Sequence, residues 1–163
     1  MKLSVIAILG LSFVLIGCRS NDVDPVEERA RMIAMKPAID SVPSSALGPQ
    51  ELSAGDCALF LWSQTDVSKF IFFSRALSGT ASFAQGEVPI ALTQITAGGQ
   101  IFGQFNTEMS YQAADGRQLS LSVIAGEELV GGQRIDSGLL SLTDTDGWQT
   151  KLPVLGVRAC QQE

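Results

Sequence analysis

The alternation of apolar and polar side chains from Gln118 to Ile124, Gln-Leu-Ser-Leu-Ser-Val-Ile, constrains this chain more than any other feature. A period of two puts Leu119, Leu121 and Val123 on one face and Ser120 and Ser122 on the other. That is the pattern of a half-buried strand, not of a helix. Short strand-like runs recur from Glu51 onward: Cys57 to Trp62, Lys69 to Arg75, Thr80 to Ala84, Val88 to Thr96, Gln100 to Phe105 and Met109 to Gln112. Arg134 to Leu142, Trp148 to Leu152 and Val154 to Cys160 follow. Gly86, Ala114-Asp115-Gly116 and Thr143-Asp-Thr-Asp-Gly147 supply turn chemistry between them, and Pro89 suits an edge or a strand start. The spacing predicts an all-β domain over 51–163: a small antiparallel β-sandwich or barrel of about eight strands.

Within this pattern Phe60, Trp62, Phe70, Phe72 and Phe73 crowd one short stretch. Strict alternation would send Phe70 and Phe72 one way, and Ile71 and Phe73 the other. Both faces of this strand are therefore apolar, and each needs a cover. One account is a central strand buried between a second sheet and a helix or loop. The other makes Phe70, Phe72 and Trp62 a face that binds a partner or lines a ligand site.

The amino terminus has a different character. Met1 and Lys2 precede an apolar run from Leu3 to Gly17, broken by Ser4 and Ser12 and ending in Leu15-Ile16-Gly17-Cys18. The run is shorter than the ~20 residues a membrane-spanning helix needs, and it has the proportions of a secretory signal. Its end resembles the lipobox of bacterial lipoproteins. That resemblance implies a signal peptide over 1–17, cleavage before Cys18, and a thioether-linked diacylglycerol on the Cys18 thiol. It further implies attachment to a membrane of the bacterial cell envelope. Arg19, in the place where an Asp would retain the protein in the inner membrane, implies the outer membrane, facing the periplasm. Residues 18–50 then read as a tether. Asp24 and Pro25 can open a short helix carrying Val26, Ala30 and Ile33, Pro37 stops it, and a Pro/Ser-rich linker runs from Ser41 to Gln50.

Once Cys18 is set aside for lipid, Cys57 and Cys160 remain, and an exported protein is expected to oxidise them to a disulfide. The bridge would join the first and last strands of the domain. It would close a loop of about 100 residues, for which chain-entropy bookkeeping gives about 4.7 kcal/mol.

Composition closes off several kinds of chemistry. The chain has no histidine, and 11 basic residues against 17 acidic give a net charge of −6. Histidine-based acid–base catalysis and Ser-His or Cys-His nucleophiles are excluded, and a nucleic-acid partner lacks its basic footprint. Asp136-Ser137-Gly138, with Val154-Leu155-Gly156 downstream, resembles the aspartic-protease elements, but the gap leaves no room for the flap and strands that separate them. A turn or bulge is the expected role. Asp144-Thr-Asp-Gly147 lacks the third ligand and closing glutamate of a calcium loop and reads as a hairpin turn. Gly98-Gly99 and Gly131-Gly132 read as turn punctuation, and Glu127-Glu128 as loop surface.

No metal and no cofactor is expected. The expected function is a non-enzymatic binding or structural module, tethered to the membrane through Cys18, with an envelope protein or a glycan as partner. The alternative is a small β-barrel that inhibits periplasmic proteases or carries an apolar ligand.

Overall fold

The structure, a computed structural model, describes residues 46–66 and 69–162. The expected signal peptide, Cys18 and the expected tether helix all fall outside the described residues. The domain is all-β, with strands β1 (Cys57–Ser63), β2 (Phe70–Arg75), β3 (Thr80–Phe83), β4 (Ile90–Phe102), β5 (Phe105–Ala113), β6 (Gln118–Leu129), β7 (Gly132–Thr143) and β8 (Gln149–Cys160). Each strand pairs antiparallel with the next, and β8 returns to β1, so the sheet is a closed barrel. A barrel, not a sandwich, resolves the two architectures that the strand spacing left open.

The alternating segment behaves as its pattern requires. Leu119, Leu121 and Val123 are buried, while Ser120 and Ser122 are exposed. An eight-stranded barrel is just wide enough for its inward side chains to fill. Here Leu59, Leu61, Phe72, Phe83, Tyr111, Leu119, Leu121, Leu140, Leu142, Leu152 and Val154 fill it. Three small residues, Ser74, Ala81 and Ala113, make room for the largest buried side chain, Tyr111. Ser74, Ala81, Leu92 and Ala113 form one belt of register partners, and the Tyr111 ring lies beside it with its hydroxyl 3.1 Å from Ser74 Oγ. Phe72 meets the same ring edge-on at 5.3 Å between centroids.

Tyr111 is the chain's single tyrosine, and burial pushes its hydroxyl up to about 12 from an ordinary 10.0. Its titration is therefore a clean report on the core. Below about pH 10 both folded and unfolded chains hold the proton, and stability is indifferent to this group. Between pH 10.0 and about 12 only the unfolded chain releases it, and stability should fall by about 1.4 kcal/mol per pH unit. Tyrosinate absorbance of the native protein should accordingly appear only as pH approaches 12. A midpoint near 10 in folded protein would place the ring outside the barrel.

The strand expected over Gln100 to Phe105 is cut by the β4–β5 turn at Gly103-Gln104, where Gly103 has positive φ, and three further details depart from the boundaries expected above. β8 is one strand through Pro153, not two. Gln64 N–H donates to the Pro153 carbonyl at 2.9 Å, so the side of Pro153 that lacks an N–H faces the end of β1, where the ladder is finishing. β4 is likewise one strand through Gly98-Gly99, whose glycines make a bulge, not a turn: the register with β5 shifts between Gly98 and Ile101. Gly99 has φ +72°, and a Cβ there would collide with Thr107 Oγ1. Glu127 and Glu128 sit on β6, exposed, and not in a loop.

Other expectations hold. Asp136 and Ser137 form a bulge, where β7 shifts register against β8 between Ile135 and Gly138. Asp144 to Trp148 is a hairpin turn closed by Asp144 N–H to Trp148 O at 2.9 Å, with Gly147 at positive φ. Gly131 also lies in a turn, between β6 and β7.

Candidate functional site

Cys57 and Cys160 are register partners on β1 and β8, 4.0 Å apart at Cα, and are joined as a disulfide. The bond sits at one end of the barrel, referred to below as the disulfide end.

The aromatic cluster does not divide as simple alternation would have it. Leu61 pairs with Phe72 but Trp62 pairs with Phe70, so Ile71 is an extra residue, a bulge in β2. The bulge turns Phe70 away from the side that Phe72 occupies. Phe72 therefore points into the barrel, is fully buried, and has no surface to give a partner. Phe70 and Trp62 lie outside it with Phe60 and Phe73. Their rings form a chain: Trp62 to Phe70 at 5.1 Å, Phe70 to Phe60 at 5.8 Å and Phe60 to Phe73 at 5.1 Å.

Part of the cover over this outer chain is the protein's own. Residues 46–56 run across β2 before β1 begins. Leu47 N–H donates to the Phe70 carbonyl at 2.7 Å, on the part of β2 that β3 is too short to pair. Leu47 is buried, and Leu52 packs against the core. Arg75 fastens this strap, donating to the Glu51 carbonyl at 2.6 Å and pairing with Asp56 at 3.3 Å. The same guanidinium lies 5.3 Å over the Phe73 ring. Trp62, Phe60 and Phe70 remain half-buried.

Beside the strap an open groove of about 640 Å³ runs over β3 and β4. It exists because β3 has only four residues and because Ser82 and Ala91, which floor it, are small. Gln50 and Arg75 form one wall, and Ile95 and Gln112 the other. Sequence reasoning passed over the groove, since no single residue in it announces chemistry.

The groove opens onto a feature that only the register reveals. Thr80, Thr93, Gln112, Gln118, Thr143 and Gln149 are successive partners from β3 to β8, a belt around the outer wall. A second row runs Thr96, Ser110, Ser120, Ser141, Lys151. A further depression of about 350 Å³ lies over the serines of that row. Hydroxyl and amide side chains both donate and accept hydrogen bonds, and across these two rows the only charge is Lys151. Among the described residues, no group of three or more His, Cys, Asp or Glu side chains could hold a metal ion.

No known protein family, curated protein or solved structure matches the chain.

Proposed function

We propose that this chain is a lipid-anchored, non-enzymatic binding module of a bacterial envelope, held at the outer membrane and facing the periplasm. Its partner is a hydroxyl-rich polymer, an envelope glycan, engaged along the outer wall through its uncharged sugar groups. The observation that carries this reading is the uncharged belt of Thr and Gln side chains around six strands, opening into the groove at β3 and β4. Complementary charge steers charged partners to their sites; the Thr and Gln belt carries none, and the charges beside it, Arg75 at the groove, Glu108 at the second depression and Lys151 in the second row, are single and of mixed sign. Paired donors and acceptors spaced by the strand separation of about 4.8 Å suit sugar hydroxyls. The side-chain-filled interior supports an outer-wall function over an apolar-ligand carrier.

The test is co-sedimentation of the lipidated protein, in detergent, with isolated peptidoglycan sacculi. Wild-type protein should be retained, and Thr93→Arg, which fills the groove from an exposed position, should weaken retention about tenfold, the scale of one or two lost hydrogen bonds. Equal retention of both proteins would remove the groove from the account. Crosslinking to a stoichiometric envelope protein without sacculus binding would replace the glycan with a protein partner. Turnover of any glycan by the pure protein would overturn the non-enzymatic reading.

A further inference from the structure

In an antiparallel meander the connections alternate between the two ends of the barrel, and here the two ends differ in kind. At the disulfide end lie 76–79, 103–104 and 130–131. None of them carries a charge, and aliphatic side chains stand out at or beside each: Leu77 is 80% exposed, Ile101 79% and Val130 fully. At the far end lie 64–66 and Lys69, 84–89, 114–117 and 144–148, which carry Asp66, Lys69, Glu87, Asp115, Arg117, Asp144 and Asp146. Val88 and Trp148 are exposed there too, but among carboxylates.

We infer that the disulfide end seats on the bilayer surface, with Leu77, Ile101 and Val130 entering the boundary between headgroups and acyl chains. This rests on the lipid-anchor reading above. The three separate tips are aliphatic, and Arg75 and Arg158 at this end are already engaged within the chain, Arg75 by Asp56 and the Glu51 carbonyl and Arg158 by Gln104, so the tips do not present the aromatic and arginine anchors on which protein interfaces concentrate their binding energy. A fluid bilayer needs no matching pocket, and it takes up apolar side chains in proportion to the area buried. The far end, with its excess of carboxylates, is the end that desolvation would penalise.

The tether allows this pose. The described chain begins beside Phe70, toward the far end, through the Leu47 hydrogen bond. Residues 18–46 can reach at most about 100 Å, against about 40 Å for a strand of 12 residues such as β6. Glu127 and Glu128, exposed just above the Val130 tip, limit the insertion to the tips alone.

Native tryptophans make the test direct. With Trp62→Phe, the remaining Trp148 reports the far end. With Trp62→Phe, Trp148→Phe and Val130→Trp together, the new indole reports the disulfide end. Both lipidated proteins are reconstituted into phosphatidylcholine vesicles containing acyl-brominated lipid, and Cys18 is checked by mass spectrometry on the same sample. The Val130→Trp signal should fall about two-fold or more and shift to the blue, as an indole entering the interface does, while Trp148 stays bright. Lipidated protein with no quenching at Val130→Trp, or with Trp148 quenched as strongly, overturns the orientation and leaves the anchor standing. An unmodified Cys18 overturns the anchor, and the orientation falls with it.

Discussion

Oxidised protein carrying Cys57→Ser should lose about 4 kcal/mol of stability, most of what a domain of this size holds in reserve. The bond closes a loop of 103 residues, so breaking it releases unfolded-state entropy on the scale of about 4.7 kcal/mol in the chain-entropy treatment. At about 4 °C per kcal/mol, the midpoint of thermal unfolding should drop by about 15 °C. The β1–β8 ladder remains, from Ala58↔Ala159 to Ser63↔Val154, so the barrel can still close. Reduced wild-type protein should melt with the variant. If oxidised wild type and variant melt together, the bond contributes nothing to the folded state.

Phe72→Ala should cost about 3–5 kcal/mol, the loss expected when a fully buried aromatic is emptied from a packed core. Phe72 touches Tyr111 inside the barrel, and the surrounding strands are tied into a closed sheet that cannot collapse around the void. Trp62→Ala, only two positions beyond the paired Phe60 on β1, removes a larger side chain from a half-buried place outside the barrel. It should cost about 1 kcal/mol or a little more. Urea denaturation of the two variants measures the difference. Equal losses would contradict the division of the aromatic cluster into inner and outer sets.

That division marks where the sequence stopped being legible. β6 could be read residue by residue, because serine on one face and aliphatics on the other admit a single orientation. Phe70-Ile-Phe-Phe73 could not, because every residue is apolar and a bulge at Ile71 changes the orientation without any change of polarity. Pro153 and Gly98-Gly99 misled for a related reason. Both are breakers by local preference, but one sits where a missing donor is harmless and the other where a bulge needs a glycine. The pairing of Cys57 with Cys160 was accessible through the lipobox resemblance and an even remainder of thiols. The groove and the polar belt were out of reach. They are products of register between strands far apart in the chain, and of the shortness of β3.

The closure of the sheet has a consequence for how the molecule comes into being. One edge of β1 stays bare until β8 has been made, because its partner there lies 103 residues further along the chain. Its other edge is taken by β2, the next strand along the chain. A nascent chain that stalls within β7 is an open sheet with two exposed edges, the form most prone to pair with its neighbours. The bridge then fastens the first strand to the last: docking of β8 on β1 sets Cys57 directly opposite Cys160.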